Sequence, residues 1–153
     1  MNIDRKAFFG VAGKWLVLWL GLTCAQLRAQ QQSPWFTITG DPRDASVDTV
    51  EVDPVAVSAA GDRKTMNVRV NRARERLNWE GVPYRSYESQ VVFSCRARKA
   101  EYLVATFYMA PLWQGMPHKT TDYADNPRPM LFLDVVPNPT ERIVRAACGT
   151  RSG

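Results

Sequence analysis

The chain has 153 residues, of which 45% are hydrophobic and 23% are charged, and it carries a formal net charge of +5. Most of this excess lies near the N-terminus, because cations and acids are nearly balanced after residue 29. A remainder of this size builds one domain, and its weak charge argues against a nucleic-acid-binding protein with a dominant phosphate-binding face.

The N-terminal residues have the pattern of an export signal. Basic residues precede an apolar run at residues 15–25, and polar residues follow it at once. The run has about half of the roughly 20 apolar residues that a membrane-spanning helix needs. We therefore predict a signal peptide over residues 1–29, cleaved after Ala29, and an exported domain over residues 30–153.

The cysteines indicate one disulfide. Cys24 lies inside the predicted leader, whereas Cys95 and Cys148 remain in the exported part. Because export leads to an oxidising environment, a disulfide between Cys95 and Cys148 is favoured over two free thiols. In the chain-entropy model, a crosslink of this span stabilises a fold by about 4 kcal/mol. Gly21 and Thr23 fit a lipoprotein processing site poorly, so we expect no lipid anchor at Cys24.

The first half of the exported part predicts three β-strands. The first covers residues 35–39. The second, over residues 46–53, has a blurred alternation that Pro54 interrupts, which favours an edge position. A Gly-Asp pair at residues 61–62 then predicts a hairpin turn into a third, half-buried strand over residues 65–71.

The longest β signal covers residues 84–109 and is typical of a hairpin with its turn at residues 98–101. In the first arm, the alternation places Cys95 on the apolar face. In the second arm, it places Phe107 on the apolar face and Tyr102 on the opposite one. A disulfide from Cys95 therefore has to reach an element that packs on the apolar face.

The C-terminal part predicts a loop, a strand and a helix. Proline and polar residues indicate a long loop over residues 111–128, and an apolar run predicts a strand over residues 130–136. Asn138 can cap a helix in which Pro139 takes the first position and which Gly149 ends. The elements together predict an α+β fold, mainly β: an antiparallel sheet of about five to six strands, with a C-terminal helix packed on it and one disulfide.

The order and spacing of several short motifs resemble those of the surface-adhesin protein E-like domain of proteobacterial envelope proteins. The resemblance spans Trp35 to Cys148. The motifs are the opening Trp35 strand, Val52-Asp-Pro54, Gly61-Asp-Arg63, Tyr84-Arg-Ser86, Phe93-Ser-Cys95, Tyr108 and the ending from Pro137 to Cys148. The resemblance implies an antiparallel sheet with a disulfide-held C-terminal helix. For the founding adhesin it implies binding of host matrix and serum proteins.

Residues for catalysis or for metal binding are scarce. The single histidine, His118, stands in a proline-rich stretch without a visible catalytic partner, and no nucleophile motif occurs. The acids Asp41, Asp44 and Asp48 do not have the spacing of a calcium-binding loop, and we interpret them as a solvated turn. We expect no enzyme activity, no metal and no cofactor.

A cluster of arginines and aromatic residues is the strongest candidate for partner binding. Arginine together with exposed aromatic rings is the composition of interaction hot spots. The candidate residues are Arg72, Arg74, Arg76, Trp79, Tyr84, Arg85 and Tyr87. The hypothesis is a mobile loop over residues 72–87 that contacts an anionic partner, with Arg96 and Arg98 adding to the same side of the sheet. The alternative is that these arginines serve solubility only.

These observations favour an exported, non-enzymatic binding protein of the bacterial envelope, in the periplasm or on the outer-membrane surface. Its expected partner is a protein rather than a nucleic acid, and contact with a membrane is expected only through the export signal. The alternative function is a periplasmic accessory or assembly protein. Protease treatment of intact cells would separate the two, because only a surface-exposed protein would be cleaved.

Overall fold

A computed structural model of the chain describes residues 35–149, and the predicted leader with Cys24 and Ala29 lies outside these residues. Within them, an antiparallel sheet is followed by one helix. The strands are β1 (Phe36–Thr39), β2 (Thr49–Ala60), β3 (Arg63–Leu77), β4 (Pro83–Ser94), β5 (Lys99–Tyr108), β6 (Lys119–Asp122) and β7 (Arg128–Pro129). The helix is α1 (Thr140–Gly149). The predicted α+β fold is confirmed.

The strands follow one another across the sheet in the order β1-β2-β3-β4-β5-β6, and β7 pairs with β5 beside β6. One face of β2 to β5 carries the apolar core. Its most deeply buried members are Val50, Met66, Val68, Val70, Val91 and Phe93. Every pairing is antiparallel, so hairpin turns alternate between the two ends of the sheet.

The second strand is longer than predicted and does not lie at the edge. β2 pairs with β1 up to Val52 and with β3 along both its halves, with a register shift between Val52 and Ala56. Pro54 stands within this shift, beyond the last β1 pair, where no hydrogen bond from its nitrogen is required. The Gly61-Asp62 turn to β3 is confirmed.

The predicted mobile loop over residues 72–87 is wrong, because most of it is β-structure. β3 runs on to Leu77 and β4 begins at Pro83, which leaves a turn over residues 78–82. The β3–β4 register jumps from Asn71 to Arg76, so that four β3 residues face one β4 residue. This bulge continues the strand although the sequence alternation is lost.

The hairpin predicted over residues 84–109 is confirmed as β4 and β5, but its turn comes earlier than predicted. β4 ends at Ser94, and residues 95–98 form the turn. The register also shifts between Gln90 and Val91, where Leu103 of β5 is the extra residue. Because this extra residue reverses the alternation, Tyr102 lies on the core face and is 4% exposed, contrary to the prediction.

The segment after Pro111 differs from the prediction in two ways. The predicted loop contains the short strand β6 and ends in β7, and the predicted strand over residues 130–136 is irregular. β6 and β7 already occupy the free edge of β5, so the apolar run cannot pair there. Met130 and Phe132 of this run nevertheless enter the core.

The predicted helix is confirmed together with its cap. The side-chain oxygen of Asn138 accepts a hydrogen bond from the Thr140 amide at 2.9 Å, which satisfies one free donor of the first turn. Ile143, Val144 and Ala147 are buried against the sheet. The predicted disulfide is present: Cys95 of the β4–β5 turn is bonded to Cys148 in the last turn of α1, with a Cα–Cα distance of 5.6 Å.

Candidate functional site

A cleft of about 310 Å³ opens on the core face of the sheet, at the end where β3 turns into β4. The bulged end of β3 forms one wall, and the irregular segment after Met130 forms the opposite wall. The floor consists of aromatic residues from β4 and β5. The residues that matter for its chemistry are Arg72, Arg76, Leu77, Trp79, Tyr84, Tyr87, Tyr102, Phe107, Leu131 and Asp134.

The floor is a network of tyrosine and phenylalanine rings. Tyr87 has ring centroids at 5.5 Å from Tyr84 and at 5.8 Å from both Tyr102 and Phe107. The hydroxyl groups of Tyr87 and Tyr102 are 2.6 Å apart and form a buried hydrogen bond. Burial raises the pKa of Tyr84, Tyr87 and Tyr102. The floor is therefore uncharged at any physiological pH.

The β3–β4 turn forms part of the rim and is stabilised by hydrogen bonds within the turn. Asn78 accepts bonds from the amides of Glu80 and Val82 at 3.0 and 2.8 Å. Gly81 has a φ of +74°, which a residue without a Cβ adopts at no steric cost. Trp79 thereby lies over Tyr102, with ring centroids 5.7 Å apart.

Three charged residues join the two walls of the cleft. Asp134 accepts a hydrogen bond from Arg72 and forms an ion pair with Arg76 at 3.1 Å. Arg72 also lies 3.4 Å from Asp48 and has a side chain only 4% exposed. Although burial raises the pKa of Asp134, the hydrogen bond and the charge of Arg72 outweigh this effect and keep it below its ordinary value. Asp134 is therefore ionised and offsets much of the positive charge of the cleft.

Large apolar side chains are exposed along the rim of the cleft. Leu77 is 65% exposed, Trp79 is 51% exposed and Leu131 is 57% exposed. Leu133 follows in the same segment and is also exposed. Exposed apolar side chains that gather in one place, with polar residues around them, mark interaction surfaces on soluble domains.

Five of the seven residues predicted for partner binding line this cleft. They are Arg72, Arg76, Trp79, Tyr84 and Tyr87. Arg72 and Tyr87 belong to its buried structure rather than to its exposed rim. Arg74 is exposed but does not line the cleft. Arg85 instead donates hydrogen bonds to the carbonyl oxygens of Arg72 and Ala45, both at 3.2 Å.

The predicted contribution of Arg96 and Arg98 to this side of the sheet is wrong. Both stand in the β4–β5 turn, at the end of β4 opposite to the cleft. Leu77, Leu131 and Asp134 also line the cleft but were not predicted from the sequence. Leu77 directly follows the arginine run, but nothing local signals that residues 131–134 reach the cleft.

A second aromatic cluster lies on the opposite face of the sheet. The guanidinium of Arg69 is stacked between two tryptophans, 4.4 Å from the ring centroid of Trp35 and 4.1 Å from that of Trp113. Arg69 also donates a hydrogen bond of 2.7 Å to the buried carboxylate of Glu51. Trp113 has a φ of +58°, an uncommon conformation for a bulky residue. The cluster is internally satisfied, so we interpret it as structural.

The remaining sites considered in the sequence offer little chemistry. His118 is exposed and directly precedes β6. In residues 35–149, no group of three or more histidine, cysteine, aspartate or glutamate side chains could hold a metal ion. Asp48 is structural, because it accepts a hydrogen bond from the Ala73 amide at 2.9 Å. Among the described helical residues, none belongs to a helix long and apolar enough to cross a membrane.

Comparison with known proteins agrees with the resemblance seen in the sequence. No curated protein and no solved structure matches the chain. The family described as surface-adhesin protein E matches residues 35–149, which include all the strands, the helix and the disulfide described above. The match covers most of the chain, and it points to an exported protein of the cell envelope with an adhesin-like role. The chain belongs to the surface-adhesin protein E family.

Proposed function

We propose that the chain is a non-catalytic envelope protein that binds a host matrix or serum protein through the cleft at the β3–β4 end of the sheet. The observation that carries the proposal is the convergence of Leu77, Trp79 and Leu131, all exposed, on one aromatic-floored cleft. Family membership supports binding as the function, and the cleft supplies a place for it.

The composition of the cleft favours a partner segment with an apolar or aromatic anchor. The tyrosine floor offers ring faces on which such a side chain can pack. Trp79 and Arg76 belong to the residue types that most often dominate binding energy at protein interfaces. Because Asp134 offsets the charge of Arg72 and Arg76, the cleft is suited to an apolar segment with polar flanks better than to a strongly anionic one.

The test is a double substitution at the rim, L77D with L131D, because neither leucine is buried. Carboxylates at these positions would have to be desolvated by an apolar anchor, which is unfavourable. Purified host matrix and serum proteins are immobilised one at a time, and binding of each variant is measured. We expect at least tenfold weaker binding to whichever of them the native protein binds.

The matched control is V57D with M116D, which adds the same charge at exposed apolar positions that do not line the cleft. It should bind as the native protein does. Equal loss in both double variants, or no loss in the rim variant, would contradict a binding site at the cleft. No binding of the native protein to any matrix or serum protein would contradict the proposed partner class.

The proposed location is the outer surface of the cell, since a host partner can only be met there. Intact cells are treated with a protease, and the protein is followed by immunoblot. Cleavage without lysis supports surface display. Protection until the outer membrane is opened would instead support the alternative, a periplasmic accessory or assembly protein with a partner in the envelope.

A further inference from the structure

The end of the sheet opposite to the cleft is formed by two adjacent hairpin turns. The β2–β3 turn at residues 61–62 and the β4–β5 turn at residues 95–98 lie side by side, because Arg63 pairs with Ser94. The Cys95 amide donates a hydrogen bond of 2.8 Å to the Asp62 carbonyl oxygen. With the disulfide to α1, these contacts fix the two turns relative to each other.

Exposed cations are concentrated at this end, which we call the basic end. Its members are Arg63, Arg96, Arg98, Lys99 and Arg145. Arg145 belongs to α1 and lines a depression together with Arg98 and the disulfide. Three acids stand on the same elements, Asp62 in the β2–β3 turn, Glu101 in β5 and Glu141 in α1, so the five cations outnumber them.

The cations of the basic end are unpaired, in contrast to those of the cleft. Within residues 35–149, none of the five forms an ion pair, whereas Arg72 and Arg76 share Asp134. Arg98 has a φ of +53°, so its backbone adopts the left-handed conformation within the β4–β5 turn. A cluster of like charges without counter-charges creates a positive potential that attracts anions.

We infer that the basic end docks on the surface of a membrane that contains anionic phospholipids. The cations stand on the first residues of β3 and β5, on the β4–β5 turn and on α1, and are thus spread over a broad surface rather than along a groove for a single chain. An anionic lipid surface attracts such a cluster through each cation, and the attraction is screened by salt. This goes beyond the proposed function and differs from the expectation that the chain meets a membrane only through its export signal.

The mode of docking is adsorption without insertion. Residues 61–62 and 95–98 include no large apolar side chain that could enter the hydrocarbon region. The cleft lies at the far end of β4, a strand of 12 residues, which is roughly 40 Å long if straight. A molecule docked by its basic end would therefore hold the cleft away from the membrane.

The experiment measures co-sedimentation of the exported protein with vesicles. One set contains phosphatidylcholine only, and the other contains phosphatidylcholine with phosphatidylglycerol. We expect binding to the anionic vesicles at low ionic strength, weakened at least tenfold in the triple variant R63Q, R96Q, K99Q. Arg98 is left unchanged because its backbone conformation is unusual. Binding should also disappear at high salt.

The control is the triple variant R43Q, R74Q, K119Q, which removes the same formal charge from exposed positions outside the basic end, although Arg43 is ion-paired with Asp41. It should retain binding within about twofold, because exposed charges far from the docked surface are largely screened by salt. The rim variant L77D with L131D should also retain vesicle binding, so that failure at the cleft and failure at the basic end are distinguishable.

Three results would overturn the inference. The first is equal loss of vesicle binding in both triple variants, which would reflect net charge only. The second is equally strong binding to vesicles of phosphatidylcholine alone. The third is binding to a sulfated polysaccharide such as heparin, lost in the R63Q, R96Q, K99Q variant, without any binding to anionic vesicles.

Discussion

Arg72 hydrogen-bonds to Asp134, a residue 62 positions later, and thereby fastens the irregular segment after β7 to the bulged end of β3. Arg72 is almost fully buried, whereas the side chain of Asp134 is 45% exposed. A buried guanidinium that loses one of its carboxylates keeps its desolvation cost. Asp48 remains as a second partner, so the loss is partial.

We predict that D134N lowers the free energy of unfolding by about 1–2 kcal/mol at neutral pH. The measurement is urea denaturation, with D125N as a control, because Asp125 is exposed in the turn before β7. The control should be indistinguishable from the native protein. A D134N variant as stable as D125N would show that the ion pair contributes nothing measurable.

The ion pair of Arg72 and Asp134 should make the free energy of unfolding depend on pH with a defined sign. The pKa of Asp134 is lowered in the folded protein from the ordinary value of 3.8. Its contribution is therefore complete above that value and is lost as the pH falls through the folded-state pKa. The stability difference between the native protein and D134N should be constant from neutral pH to about pH 5 and shrink below about pH 4. A difference that grows in acid would contradict this assignment.

The hydrogen-bonded hydroxyl groups of Tyr87 and Tyr102 should be coupled in their contribution to the free energy of unfolding. Y87F or Y102F alone leaves the other hydroxyl unpaired in a buried site, and we expect each to cost about 1–3 kcal/mol. The double variant leaves no unpaired hydroxyl, so its cost should be smaller than the sum of the two. A double-mutant cycle by urea denaturation measures this coupling, and additive costs would contradict the hydrogen bond.

Tyrosine titration offers a second test of the cleft floor. Burial raises the pKa of all five tyrosines, the three of the floor together with Tyr108 and Tyr123, and that of Tyr123 reaches about 12. Their contribution to stability is complete below about pH 10 and is lost as the pH rises through the folded-state values. At pH 10 the native protein should show less than half of the phenolate absorbance of the unfolded chain. Equal absorbance would contradict a buried floor.

The parts of the fold that could be predicted depend on local patterns. Strict alternation identified the strand around Val68, and Asn138 before Pro139 identified the start of the helix. The disulfide could be predicted from the oxidising environment of an exported protein and from the number of cysteines, because only Cys95 and Cys148 remain after the predicted leader. Each of these signals needs only a few neighbouring residues, and none requires knowledge of which strands lie side by side.

The features of the fold that were predicted wrongly depend on pairing between residues distant in the sequence. The extra residue Leu103 reverses the alternation of β5 and carries Tyr102 to the core face, and a bulge of this kind leaves no mark in the composition of the strand. The bulge before Arg76 likewise hid the continuation of β3. The cleft was found only in part, because Leu131 and Asp134 reach it through tertiary packing.

The disulfide should matter strongly for so small a domain. Cys95 and Cys148 close a loop of 53 positions and tie α1 to the β4–β5 turn. Replacing both by alanine should lower the free energy of unfolding by about 2–5 kcal/mol. The measurement compares urea denaturation of the double variant with that of the native protein with and without a reductant. A native protein whose stability is unchanged by reduction would contradict the prediction.

Arg69 is stacked between Trp35 and Trp113, and substitutions of it can separate the contribution of its charge to stability from that of its planar group. R69A leaves the buried carboxylate of Glu51 without its partner, and we expect a loss of about 3–5 kcal/mol. R69K keeps the charge but not the planar group that stacks on both rings, so its loss should be intermediate.

The variant R69M removes the charge but keeps much of the side-chain volume, and paired with E51Q it leaves no uncompensated carboxylate. That double variant should therefore be more stable than R69M alone. Urea denaturation followed by tryptophan fluorescence reports stability, and Trp35 and Trp113 contribute to its signal together with Trp79. If R69K proved as stable as the native protein, the planar stacking would contribute nothing, and Arg69 would act only as a counter-charge to Glu51.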